Sequence, residues 1–205
     1  DETTQFLSPA FKNNIAVEFP DDNGFGGMAL FSPSEILDVG LGFGDADADW
    51  DDVFNDLFSI LEINFKPQIA GKRGNYRTFG WFNGKDHESL SNDDKLDDKN
   101  YGFGFSIDQQ ITDTLTLFGR YGWQNDEVSK VVHALSAGFS LSADFINRQN
   151  DVIGFAYGMA IIGNEWEKIQ KTDGVEGADE SHFELYYSVQ VNDNITLSPD
   201  IQYVI

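Results

Sequence analysis

Cysteine is absent from this 205-residue chain, which excludes a disulfide framework, a thiolate nucleophile and any Cys-based metal site. No apolar run reaches the roughly 18 residues that a membrane-crossing helix needs, so a transmembrane helix is excluded too. Basic residues are few, 13 Lys and Arg against 35 Asp and Glu, and the formal charge of −22 argues against a nucleic-acid partner. The three histidines, His87, His133 and His182, are scattered. There is no HExxH, no GxSxG and no phosphate-binding loop. GFGG at Gly24–Gly27 precedes no helix and is not a dinucleotide fingerprint. Carboxylate pairs are common only because acid is common, so they cannot nominate a glycosidase. The sequence therefore predicts no enzyme and no cofactor. It opens on Asp1 with no signal peptide, as a processed or partial product would.

What the chain has is aromatic residues and glycine: 18 Phe, 7 Tyr and 4 Trp beside 20 Gly. Such a mixture favours β structure. The clearest stretch is Tyr101–Gln124. Tyr101, Phe103, Phe105 and Ile107 form one row and Gly102, Gly104, Ser106 and Asp108 the other. After a polar break, Leu115, Leu117, Gly119, Tyr121 and Trp123 alternate with Thr114, Thr116, Phe118, Arg120, Gly122 and Gln124. Side chains alternate across a strand, so this is a hairpin with one apolar face and one mostly polar, Gly-rich face. Each strand has about the 9–11 residues that cross a bilayer when tilted. A soluble sandwich would show the same alternation.

The rest of the chain repeats it. Strands are expected near 27–31, 36–44, 56–66, 75–83, 131–141, 151–162, 182–191 and 195–205, with residues 1–22 entering as a loop whose part Phe11–Pro20 reads as irregular or plug-like. That makes roughly ten antiparallel strands. Joins after the odd-numbered strands are short and those after the even-numbered ones mostly longer and acidic, which is how an outer-membrane barrel sorts its turns and loops. A soluble sandwich has no reason to do so. The mean hydropathy of −0.35 is compatible with a barrel, whose strands spend half their residues on a polar lumen.

On these residues a resemblance rests. ELYYSVQVNDNITLSPDIQYVI (Glu184–Ile205) resembles the closing segment of the carbohydrate-selective, OprB-like porins. DQQITDTLTLFGRYGW within Phe103–Trp123, RGNYRTFGWFNG (Arg73–Gly84) and FPDDNGFGGMALFSPSE (Phe19–Glu35) are similar to further parts of that family, in the expected order. The resemblance implies an all-β, antiparallel transmembrane barrel: a single porin domain over residues 1–205, with about ten strands of a sixteen-stranded porin. It would be incomplete at the N-terminus and lack the last strand with its terminal aromatic. It also implies passive passage of small sugars, the bacterial (Gram-negative) outer membrane, contact with lipid bilayer and lipopolysaccharide, and a homotrimer or a monomer.

Candidate site residues are the polar ones on the rows that cannot face lipid. Arg77 shares its row with Phe79 and Trp81, and a guanidinium beside an aromatic face suits a sugar, whose C–H face stacks while its hydroxyls bond. Glu62, Arg120, Glu184 and Asp200 extend this lining, and Asp108 lies on the same side. The resemblance carries a constriction role onto Glu62, Arg77 and Trp81. The competing reading makes Arg77–Glu62 and Arg120–Asp108 ion pairs that only satisfy one another's charge. The acidic groups Asp45, Asp47, Asp49, Asp51 and Asp52; Asp93, Asp94, Asp97 and Asp98; and Glu176, Asp179 and Glu180 are read as solvated loops that raise cation concentration at a pore mouth. No metal is assigned, because the EF-hand glycine and terminal Glu are missing. The function expected is a porin for small solutes, foremost carbohydrates. A general or cation-preferring porin is the alternative within transport. A structural outer-membrane protein or soluble β-domain without a channel is the alternative outside it.

Overall fold

A computed structural model describes residues 6–12, 14–20, 24–50, 55–91 and 98–205, the side chains of Lys12 and Asp98 apart. Asp51, Asp52, Asp93, Asp94 and Asp97 lie outside the described residues. The strands are β1 (Gly26–Ser34), β2 (Leu37–Asp45), β3 (Leu57–Phe65), β4 (Gln68–Ile69), β5 (Lys72–His87), β6 (Asp98–Gln110), β7 (Leu115–Gln124), β8 (Val131–Ala143), β9 (Arg148–Ile162), β10 (Glu180–Asn192), β11 (Ile195–Leu197) and β12 (Asp200–Val204). They form one antiparallel meander in the order β1-β2-β3-β5-β6-β7-β8-β9-β10, with β11 and β12 both on the far side of β10. Among the described residues the sheet is open, with β1 at one edge and β11 and β12 at the other.

The connections sort as the sequence predicts. Residues 35–36, 66–71, 111–114, 144–147 and 193–194 make short joins at one rim, whereas 46–56, 88–97, 125–130 and 163–179 span the other. The short β4–β5 hairpin turns on Ala70 (φ 51°) and Gly71 (φ 77°), the two positive φ values of a type I′ turn. Asp151 fastens the β8–β9 turn to β10: it pairs with Arg148 and accepts from Tyr187 Oη at 2.8 Å and the Gln190 N–H at 3.0 Å. Two details go beyond the sequence reading. The long connection after β9 contains a helix, α2 (Asn164–Thr172), laced by Lys168–Glu165 and Lys171–Glu167 pairs. The last expected strand is broken at residues 198–199 into β11 and β12, because Pro199 has no N–H to give the ladder.

The sheet has two unlike faces. One carries Leu41, Leu61, Ile63, Phe65, Phe82, Tyr101, Phe103, Phe105, Ile107, Leu117, Leu135, Leu185, Ile201 and Tyr203, all exposed. Contiguous apolar surface on this scale needs an apolar partner, and lipid is the partner of a barrel's outer face. No helix among the described residues is long and apolar enough to cross a membrane. The other face holds glycine and polar residues, and across it lies the chain's own beginning: residues 6–12 and 14–20, with one helical turn, α1 (Pro9–Lys12).

Candidate functional site: the inner face and the segment across it

The glycines of the inner face exist to make room. A Cβ on Gly102 would come within 2.7 Å of the Trp81 indole, and one on Gly122 within 2.3 Å of the Asn14 side chain. Rings and the N-terminal segment fill the space so created. Phe6 and Phe11, both fully buried, pack with Phe118, Ala156 and Tyr186, the Phe6 ring edge-on to Tyr186 at 5.0 Å. A second cluster joins Val17 and Ala46 to Phe58 and Trp81.

Polar groups then tie the segment's backbone to the wall. Glu184 accepts the Leu7 and Ser8 N–H groups at 2.6 and 2.8 Å. Arg120 donates to the Phe11 carbonyl at 2.5 Å, Asn14 to the Tyr121 carbonyl at 3.1 Å, and Trp81 Nε1 to the Ala16 carbonyl at 3.2 Å. Glu18 closes the run, meeting His87 Nε2 at 2.8 Å and accepting from Asn100 Nδ2 at 2.5 Å. Burial alone would raise the Glu18 carboxyl, but the His87 and Asn100 hydrogen bonds outweigh it and hold its pKa below the ordinary 4.5.

Strand register arranges the wall in rungs. One runs Asp38, Asn64, Arg77, Ser106, Arg120, Ser136, Gly158 and His182 from β2 to β10. The rung beside it, nearer the short-turn rim, contains Asn75, Asp108, Phe118, Gly138, Ala156, Glu184 and Gln202. Arg77 reaches diagonally between them to Asp108 at 2.5 Å. Towards the long-loop rim the segment and wall leave a cavity of about 630 Å³, lined by Glu18, His87, Asn100, Gln124, Ser129 and Lys130 among others. Amides, a hydroxyl, a carboxylate and an ammonium around a space of that size suit a small polar solute.

A sheet that is apolar outside and polar inside, with loops sorted by rim, is the architecture of a porin, and the comparisons agree. The family model for carbohydrate-selective porins of the OprB family matches residues 29–205. This chain belongs to that family. The high-pH structure of Pseudomonas putida OprB superposes with a TM-score of 0.75 at 16% identity, covering 86% of this chain and 52% of that one. The low-pH structure of Pseudomonas putida OprB gives 0.61 at 20% identity, covering 86% and 49%. At such identities the likeness is one of fold. The chain spans about half the length of these two porins. No curated protein matches.

Within this OprB-family sheet, all seven residues singled out from sequence lie on the inner rows. They do not form one ring. Glu62 stands opposite Phe79 on β3, and Asp200 opposite Tyr186 on β12. Arg77 pairs with Asp108 and not with Glu62. Arg120 and Glu184 serve the segment's backbone. Trp81 is 4% exposed under Val17, so its ring packs on protein, and a sugar would reach it only if the segment moved. The cavity residues Glu18, Asn100, Gln124 and Ser129 were missed by the sequence reading. Asn100 and Gln124 do stand on the inner row of the hairpin, a parity the sequence displays, but nothing in it shows that the segment arrives there.

Proposed function

We propose that the protein is an outer-membrane porin through which small solutes, carbohydrates first among them, diffuse passively, and that it catalyses no reaction. Membership of the carbohydrate-selective porin family supports this, but the observation that carries it is the cavity of about 630 Å³ on the inner face of a sheet whose outer face suits lipid. The Asn100, Gln124 and Ser129 groups that line it are buried and bonded to one another, so a sugar would engage them by exchanging its hydroxyls into those hydrogen bonds. Such weak, multiple engagement is what conduction requires. Glu62, Arg77, Asp108 and Asp200 line the inner wall along which a solute would pass, and Arg120, Glu184 and Trp81 hold the segment that narrows it. The partners are the bilayer with its lipopolysaccharide and the solute in the lumen, in a homotrimer or a monomer.

A second reading, a cation-preferring general porin, is favoured by the charge of −22 and by acidic residues in the long connections. One experiment separates the readings. The full-length protein is placed in a planar bilayer and neutral sugars are titrated against its ion current. Saturable block that weakens in Gln124→Ala supports the sugar reading. Unblocked current with a cation-selective reversal potential in a salt gradient favours the second. Correctly folded protein that passes no current refutes both.

A further inference from the structure

The connection after β2 curls back on itself. Ala48 (φ 58°) and Trp50 (φ 67°) both adopt left-handed backbone conformations, uncommon for non-glycine residues. The Trp50 N–H thereby donates to Asp45 Oδ2 at 3.0 Å. Gly24 closes over the curl: a Cβ there would lie 3.0 Å from Asp45 Cβ and 3.1 Å from Ala48 Cα. Asp45 is left 1% exposed, and its second carboxylate oxygen, Oδ1, is enclosed with no hydrogen-bond partner among the described residues. A buried, unsatisfied carboxylate oxygen is costly unless a cation meets it.

Two more carboxylates lie close to that of Asp45. Asp45, Asp47 and Asp49 each bring one carboxylate oxygen within 4.8 Å of the other two. Oxygens bound to one Ca²⁺ at 2.3–2.6 Å can be at most about 4.6–5.2 Å apart, so these three are near enough for one ion to draw them in, the exposed Asp47 and Asp49 side chains adjusting. Three like charges this close repel without a cation between them. Asp47 and Asp49 are exposed, so water can complete the six to eight oxygen ligands that Ca²⁺ accepts.

We propose that Asp45, Asp47 and Asp49 bind Ca²⁺ at the long-loop rim, pinning the β2–β3 connection beside the chain entering β1. The alternate spacing supplies the carboxylates, and the buried Asp45 supplies an oxygen that no described residue satisfies. Mg²⁺ fits less well, because it gives up its own water reluctantly.

Trp50 provides a built-in reporter. Terbium(III), which replaces Ca²⁺ at oxygen sites, would be titrated into the full-length porin in detergent with excitation through tryptophan, and CaCl₂ binding followed separately by calorimetry. The expected result is a saturable emission displaced by Ca²⁺. Asp47→Asn, on an exposed side chain, should weaken Ca²⁺ at least about tenfold by loss of one charged ligand. Asp45→Asn should abolish binding. Trp50→Phe should cut the emission severalfold and leave the calorimetric isotherm in place. Emission that persists in both Asp variants, emission indifferent to Trp50→Phe, or a flat calcium isotherm in the unaltered protein would each overturn the assignment.

Discussion

Changing Glu184 to Gln tests whether the N-terminal segment is held as described. The carboxylate of Glu184 is 1% exposed and uses one oxygen for the Leu7 N–H, at 2.6 Å, and the other for the Ser8 N–H, at 2.8 Å. Gln offers a single oxygen and turns an NH₂ toward the second amide. At least one hydrogen bond to the carboxyl is lost, worth at most about 1.5–3 kcal/mol, because the substitution also relieves the neighbouring Asp200 carboxyl. Against this stand Phe6 and Phe11, both 0% exposed, whose burial contributes about 1.5–3 kcal/mol each. The lost bond is the smaller term. Glu184→Gln should therefore open the segment locally at residues 7–8, with the rings still seated.

Amide hydrogen exchange reads this directly. A loss of about 2 kcal/mol corresponds to roughly 30-fold faster exchange at Leu7 and Ser8, measured as a local opening. The β10 amides paired with β9 across Glu184 and Ala156 should keep their rates, and mean single-channel conductance should not change. A change under about threefold at both amides would refute the clamp. Acceleration spread evenly over β9 and β10 would show that the substitution damages the sheet and not the segment.

Two further substitutions follow from the inner wall. Arg77→Ala leaves the 7%-exposed Asp108 without its guanidinium and should cost on the order of 3 kcal/mol, whereas Arg77→Met with Asp108→Leu should recover most of it; thermal unfolding of the detergent-solubilised porin decides, and equal losses in both variants would count against the pair. For Glu18, whose folded pKa lies below its ordinary 4.5, the stabilisation is fully present above 4.5 and is lost as pH falls through the lowered folded value. Proteolytic release of residues 14–20 should therefore rise in acid, below about pH 4.5, and Glu18→Gln should flatten that rise; release that stays constant as pH falls through that range would refute it.

Which parts of this were legible depends on the range of the physics involved. Period-two alternation is local, so the inner and outer rows of the Tyr101–Gln124 hairpin, and the sorting of short and long joins, could be read from sequence. Register is not local. Arg77 meets Asp108 because Asn75 pairs with Asp108 across β5 and β6, which places the guanidinium two residues along and one strand over. A slip of two would have kept every residue on its face and changed that partner. The helix α2 did leave a signal, Glu165 and Lys168 three apart and Glu167 and Lys171 four apart, within a stretch whose polarity read as loop. The clamp on the N-terminal segment left none. Glu184 and Leu7 are 177 positions apart, and a carboxylate waiting for two backbone amides looks in sequence like any other lumen acid.

That division has a consequence for selectivity. The inner face spends its aromatic rings on the segment: Phe118 and Tyr186 pack against Phe6 and Phe11, and Phe58 and Trp81 pack with Val17. The strongest cation–acceptor pairs are also spent, Arg77 on Asp108 and Arg120 on the Phe11 carbonyl. The cavity near the long-loop rim is lined chiefly by the amides and hydroxyl of Asn100, Gln124 and Ser129, which are bonded to one another, with Glu18 engaged by His87 and Asn100. A solute passing there meets hydrogen-bonding groups of both signs and few unopposed charges. Exchange of such hydrogen bonds costs little to leave as well as to enter, so the wall chemistry suits neutral polar solutes.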